Sequence, residues 1–152
     1  MNDKSHKRAI IFDFMRTLYD PVSASLYSGA RAMLSDLAEE RRLLLYSRRE
    51  RSRIELLEEM GIAAHFEGAY FVDQKDAGNL QQILDTHGLA AEDCVVAGDM
   101  ISSELTAAGE LGIDTIWFKQ QSFANNLLQL GYKPTHTVNS ITEMHQLIKQ
   151  LP

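Results

Sequence analysis

The sequence predicts an α/β fold: a doubly wound parallel sheet flanked by helices. Short apolar runs of four to six residues alternate with longer segments of helical period. Several of the runs are apolar on both faces, as strands buried inside a parallel sheet must be. Such an alternation joins its strands by right-handed crossovers, which builds an open sheet with helices on both sides.

Taken in order, the strand candidates are "AIIFDF" (9–14), "RLLLYS" (42–47), "GAYFV" (68–72), "CVVAGD" (94–99) and "DTIWFK" (114–119). Between them lie "GARAMLSDLAEE", "RSRIELLEEMGI", "GNLQQILDTHGL" and "SSELTAAGELGI", with apolar residues three and four apart. Three of these segments close with Gly-Ile or Gly-Leu, the glycine that ends a helix followed by the next hydrophobic anchor. A last helix follows in "SITEMHQLIKQL", opened by Ser140 with Glu143 three residues on, a capping box. Five or six strands are expected in one domain spanning residues 1–152, since a chain this long builds one core more readily than two.

Bulk properties narrow the class. Hydrophobic residues make up 45% of the chain, enough for a packed interior. The net charge of −6 argues against nucleic acid or an anionic membrane as partner, because either needs a positive field. The basic stretch "RRERSR" (48–53) precedes "ELLEE" and reads as decoration of a helix start. A single cysteine, Cys94, allows neither an intrachain disulfide nor a cysteine metal cage, and its apolar surroundings suit a buried small hydrophobe. The amino-terminal "MNDKSHKR" lacks the apolar core of a signal peptide, and no run approaches a membrane span, so a cytoplasmic protein is expected. The five histidines, His6, His65, His87, His136 and His145, show no ligand spacing.

Ligands of doubly wound folds gather at the carboxyl ends of the strands. The residues there are Asp13, Ser47, the stretch from Asp73 to Lys75, and Asp99. Together they make chemical sense. A carboxylate can attack a phosphoryl group. Neighbouring acids suit Mg²⁺, and a hydroxyl with a lysine can hold phosphoryl oxygens as charge moves. Singly, each has a plainer explanation: a turn acid for Asp13 or Asp99, a helix cap for Ser47, a surface ion pair for Lys75, a dipole-favoured first-turn acid for Glu104. Their joint order favours function.

At this point the chain resembles the haloacid dehalogenase (HAD) superfamily, and nearly its whole length takes part. "IIFDFMRTL" is similar to the family's first motif, an apolar strand followed by Asp-x-Asp-x-Thr-Leu. "LLLYS" matches the second, "DQKDAGNLQQIL" the third, and "VVAGDMISSELTAAGELGIDTIWFKQ" the fourth through Gly98, Asp99 and Glu104. The resemblance implies a Rossmann-like HAD core in which Asp13 is the nucleophile and Ser47 and Lys75 assist it. Thr17, Arg16, Ser47 and Lys75 would contact the substrate. Mg²⁺ would be held by Asp13, the carbonyl of Met15, Asp99 and Glu104, the last directly or through water. A receiver domain, the nearest other doubly wound fold with such residues, fits poorly, since "RLLLYS" supplies no carboxylate.

Two departures matter. Met15 stands where the family's phosphatases carry the acid that protonates the leaving oxygen and later activates water. Losing such a group typically forfeits about 10²–10⁴ in rate. Arg16 replaces the usual glycine and brings a long cation beside the nucleophile. Only 29 residues separate Thr17 from Ser47, enough for a flap and one helix, and a single helix lies between Lys75 and Asp99. A core without a cap domain is therefore expected.

The expected activity is Mg²⁺-dependent hydrolysis or transfer of phosphate monoesters through an aspartyl-phosphate on Asp13, slowed by Met15. The alternatives are a non-catalytic module that keeps Mg²⁺ and phosphate recognition, and a purely structural descendant. The partner would be a phosphorylated small molecule or macromolecule, with a protein partner or second subunit available as lid.

Overall fold

In a computed structural model that describes residues 4, 7–50, 52–119 and 132–152, the predicted α/β architecture is present. Six parallel strands form the main sheet: β1 (Ala9–Phe12), β4 (Leu43–Arg48), β5 (Gly68–Val72), β6 (Cys94–Gly98), β7 (Asp114–Phe118) and β8 (His136–Val138). Their spatial order is β5-β4-β1-β6-β7-β8. The chain thus grows from β1 to one side through β4 and β5, then crosses back to place β6 against β1's other edge. Register aligns Phe12 with Leu45 on one side and with Ala97 on the other. Residues just past Phe12, Leu45 and Ala97 therefore emerge side by side at the switch point, where such folds bind ligands.

Alternation along the strands divides the core into two layers. Ile10, Phe12, Leu43, Leu45, Val95 and Ile116 pack against α1 (Ala30–Glu40), α2 (Arg53–Glu59) and α5 (Ile141–Gln150). Ile11, Leu44, Tyr46, Val96 and Trp117 face α3 (Ala77–Thr86) and α4 (Thr106–Glu110) instead. Every residue of β1 is fully buried, as befits a central strand covered on both faces. The helix-ending glycines behave as the sequence implies: Gly61, Gly88 and Gly112 take left-handed φ values of 70°, 65° and 76°.

Between β1 and α1 the chain makes only a two-stranded antiparallel hairpin, β2 (Tyr19–Asp20) with β3 (Ser25–Leu26), carrying the exposed Val22 at its tip. Neither this stretch nor the passage from β5 to β6, which holds α3, contains a cap domain.

Three local outcomes refine the sequence reading. At the last helix, the Glu143 N–H donates to Ser140 Oγ at 3.1 Å. The Glu143 carboxylate, however, accepts from Asn139 N–H at 2.9 Å rather than closing the box on Ser140. The segment 102–113 is not one helix: Ile101–Leu105 forms an irregular wide turn, kinked at Ser103 (φ −122°, ψ −106°), before α4 begins. Ser47 caps nothing; it lies inside β4, and α2 starts after Ser52.

No helix among the described residues is long and apolar enough to cross a membrane. His6, Arg51 and most of the stretch "KQQSFANNLLQLGYKPTHTV" (119–138), which resembles the closing strand and helix of the HAD family, lie outside the described residues.

Candidate active site

The strand ends bring Asp13, Thr17, Ser47, Lys75, Asp99 and Glu104 into one buried cluster or its rim. Asp13 follows β1 directly, and its N–H donates to Ala97 O at 2.9 Å, tying it to the end of β6. Its carboxylate takes a very short bond from Lys75 Nζ on one oxygen. The Thr17 hydroxyl donates to the other at 3.3 Å. A tight turn makes this possible: Leu18 N and Tyr19 N both bond Phe14 O, folding the chain back so that Thr17 sits over Asp13.

Lys75 was open to reading as a surface pair. In the fold it is buried, forming ion pairs with Asp13 and, at 3.5 Å, with Glu104 Oε2. Asp13, Asp99 and Glu104 each offer an oxygen within 4.8 Å of the others. All three are nearly inaccessible, at 3%, 5% and 1% exposure.

Glu104 reaches the cluster because of the break at Ser103. The wide turn rotates Glu104 inward, while the Thr106 hydroxyl ties back to Ile101 O. Gly98 completes the arrangement. A Cβ there would collide with the Glu104 carboxylate, so only glycine lets that side chain lie across the end of β6. Trp117 Nε1 donates to Asp99 O at 3.1 Å and fixes the backbone from the β7 side.

Electrostatics follow from this crowding. Burial alone would raise the Asp13 carboxyl, but the Lys75 cation and hydrogen bonds from its neighbours hold it below the ordinary value. Burial likewise opposes the Lys75 charge, yet Asp13 and Glu104 keep it above its usual range. Asp99 is pushed up to about 9, by burial first and then by the Asp13 charge. Glu104 is pushed up to about 7 for the same two reasons. One anion, Asp13, is thus stabilised at the expense of two others.

That pattern suits a cation. Glu104 Oε2 is buried with no hydrogen-bond partner. The donor set is all carboxylate oxygen, the choice of a hard ion such as Mg²⁺. No histidine among the described residues joins it: His87 pairs with Glu67 at 2.6 Å and His145 with Asp36 at 2.7 Å.

Ser47 is fully buried at the end of β4 and is held by a residue that the sequence reading did not single out. Arg53 Nη1 donates to Ser47 Oγ at 3.1 Å, and Arg53 Nη2 pairs with Glu50 at 3.1 Å. Arg53 Nε is buried without a partner. The basic stretch is therefore not uniform decoration; its last arginine turns toward the site. The only sequence signal was a cation six residues after the hydroxyl.

Met15 packs against the main core layer, consistent with a space-filling role, and its backbone pairs with Tyr19. Arg16 is exposed and takes φ 61°, a left-handed backbone that explains why glycine is usual there. Beside Lys75 a polar groove of about 420 Å³ opens to solvent, lined among others by Arg48, Gln74, Ser102, Ser103 and Thr106.

Comparison with known proteins agrees with this geometry. The family described as HAD-hydrolase-like matches residues 76–144. Among curated proteins no sequence matches the chain. The fold is similar to a haloacid dehalogenase-like hydrolase from Streptococcus pneumoniae, with TM-score 0.74 and 18% identity over 93% of this chain and 98% of that one. It is also similar to the HAD-hydrolase YfnB from Bacillus subtilis in a magnesium-bound form, with TM-score 0.78 and 12% identity over 94% and 99% of the two chains. A HAD phosphatase from Thermococcus onnurineus gives TM-score 0.74 and 11% identity over 93% and 97%. Residues 76–144 thus match the HAD-hydrolase-like family in sequence, and over nearly the whole chain the fold is similar to those three structures.

Proposed function

We propose that the chain is a single, capless HAD-like domain that cleaves or transfers phosphate monoesters through an aspartyl-phosphate on Asp13, and does so slowly. The observation that carries this reading is the state of Asp13: a buried carboxylate kept anionic by Lys75 and Thr17, at the switch point of the sheet. An ionised carboxylate there is a nucleophile ready for phosphorus.

Asp13 attacks the phosphoryl group. Lys75, released in part from its ion pair, follows the developing charge on the phosphoryl oxygens, and the Ser47 hydroxyl donates to one of them. Asp13, Asp99 and Glu104, with the carbonyl of Met15, would hold Mg²⁺, which supplies positive charge against the phosphoryl oxygens when bound. Met15 neither protonates the departing oxygen nor draws a proton from water, so both halves of the reaction run without side-chain acid–base help at that position. A cytoplasmic setting and a partner or second subunit serving as lid over the open mouth belong to the same reading. Its support is the short passage between β1 and α1, which holds only the β2–β3 hairpin.

The test is a rapid time course with p-nitrophenyl phosphate and Mg²⁺, whose leaving group departs without a proton. The wild type should give a stoichiometric burst followed by a slow steady state. The burst should vanish in Asp13→Asn, and the steady state should quicken in Met15→Asp. Mg²⁺ binding without any burst would instead mark a receptor that has lost the chemistry.

A further inference from the structure

We infer that the site is built for phosphoryl groups carried on an acidic leaving oxygen, an acyl phosphate or a phosphoanhydride, and discriminates against alkyl monoesters. The inference rests on the reading just given and narrows its substrate class. It follows from which proton donors the cluster contains and what each is already doing.

Efficient departure of a basic oxygen from phosphorus above Asp13 calls for a positioned side-chain acid, since water is a far weaker proton donor. Lys75 is bound to Asp13 and Glu104. The Thr17 hydroxyl proton is spent on Asp13. Ser47 accepts from Arg53 and donates its own proton to Arg48 O at 3.4 Å. Asp99 and Glu104 belong to the proposed cation site. Met15, next but one to the nucleophile, offers a thioether packed on the core. Among the described residues of the cluster no side chain remains to protonate an alkoxide, and an alkoxide is too basic to leave unaided. A carboxylate or a phosphate needs no such help.

The groove beside Lys75 supports the same class. Its walls are polar, with Arg48, Gln74, Ser102, Ser103 and Thr106 in place of an apolar slot for an alkyl or aryl group. The acids Asp73, Asp76 and Glu110 also line it, which favours the singly charged acyl leaving group over a multiply charged phosphate.

The bookkeeping of the first step closes without a proton. The Asp13 oxygen forms a bond to phosphorus, the bond from phosphorus to the leaving oxygen breaks, and its electron pair leaves with the carboxylate or phosphate anion. In the second step water attacks phosphorus and the Asp13–phosphorus bond breaks, returning its electrons to the carboxylate. One water proton stays on the incoming oxygen and the other passes to a phosphoryl oxygen, giving dihydrogen phosphate.

The experiment is rapid-quench measurement of the first step with Mg²⁺, using acetyl phosphate, pyrophosphate and ethyl phosphate, each corrected for its uncatalysed rate. Wild type, Met15→Asp and the acid-free isostere Met15→Asn are compared. We expect wild type to form phospho-Asp13 from acetyl phosphate or pyrophosphate at least about 10²-fold faster than from ethyl phosphate, the acceleration a general acid would otherwise supply. Met15→Asp should recover most of that gap on ethyl phosphate while changing acetyl phosphate only a few-fold; Met15→Asn should recover none. If Met15→Asp does not fold, the wild-type ratio decides alone. Ethyl phosphate within tenfold of acetyl phosphate in wild type, with Asp13 labelled by both, overturns the leaving-group inference and leaves the aspartyl-phosphate reading standing. Absence of phospho-Asp13 from every substrate overturns that reading itself.

Discussion

Asp99→Asn should make the metal-free protein more stable, and the size of the effect can be worked from the cluster. Asp13, Asp99 and Glu104 hold oxygens within 4.8 Å of one another. At an effective dielectric of 20, two unit charges at that separation repel by about 3 kcal/mol. Asp99 faces two such neighbours, and the nearby Lys75 cancels roughly one, leaving a net penalty of about 3 kcal/mol. The protonation route gives a similar figure. Asp99 is raised from 3.8 to about 9, by burial first and then by Asp13. At pH 7 the fold must therefore force a proton onto it, at a cost of about 4 kcal/mol relative to the unfolded chain. The sign is definite: the folded state binds the proton more tightly, so stability declines as pH climbs from the unfolded value of 3.8 toward 9. Asparagine keeps the shape and removes the charge. Thermal unfolding in EDTA near pH 7 should show Asp99→Asn melting higher by roughly 6–12 °C, with a flatter dependence on pH between about 5 and 8. Mg²⁺ should raise the wild type, by about 2.7 kcal/mol at a hundredfold excess over its dissociation constant, and raise the variant much less. A variant that melts at or below wild type in EDTA, or that gains as much from Mg²⁺, would refute the argument that these acids are held together for a cation.

Three further substitutions probe the surroundings. Arg16→Gly relieves a left-handed residue at φ 61° and should stabilise the protein by about 1 kcal/mol in urea unfolding, whereas Arg16→Val should destabilise it. Gly98→Ala places a methyl against the Glu104 carboxylate and should cost about 1–3 kcal/mol while weakening Mg²⁺ binding in a calorimetric titration. Arg53→Met removes a charged donor from Ser47 Oγ. It should weaken inorganic phosphate binding by about 10-fold or more, with Arg53→Lys recovering part of the loss. An Arg53→Met protein that binds phosphate as wild type does would confine Arg53 to structural support of the loop.

The sequence exposed most of what depends on short-range pattern. Strand runs, helix-ending glycines and the order of Asp13, Ser47, Lys75 and Asp99 were legible because each is a local signal read in chain order, and doubly wound topology converts that order into proximity. What stayed hidden depends on where side chains turn. Arg53 looked like part of a solvated cationic run. Only the actual start of α2, after Ser52, sends its guanidinium back to Ser47. Glu104 was selected through the resemblance to the family's fourth motif, but the break at Ser103 that delivers it has no local signature in "SSELTAAGELGI". Arg16 was noticed as an extra cation, while its backbone consequence emerged only with the turn that folds Thr17 over Asp13.

The energetics of the cluster bear on which reading of the protein is tenable. Four ionisable groups, Asp13, Lys75, Asp99 and Glu104, are buried together, and one carboxylate oxygen has no hydrogen bond. Burying charge is costly even when it is paired, and replacing buried ion pairs with apolar residues is often neutral or stabilising. A purely structural descendant would therefore gain by filling the switch point with hydrocarbon, as Met15 fills its own position against the core. The chain instead keeps glycine at 98 to admit a carboxylate, and an irregular turn at Ser103 to present it. Both arrangements fit the proposed cation site better than they fit a purely structural role. Under the proposed function, Met15 leaves that position without a proton carrier, while Asp13, Lys75, Asp99 and Glu104 stay together at the strand ends. That combination is the one the leaving-group inference requires.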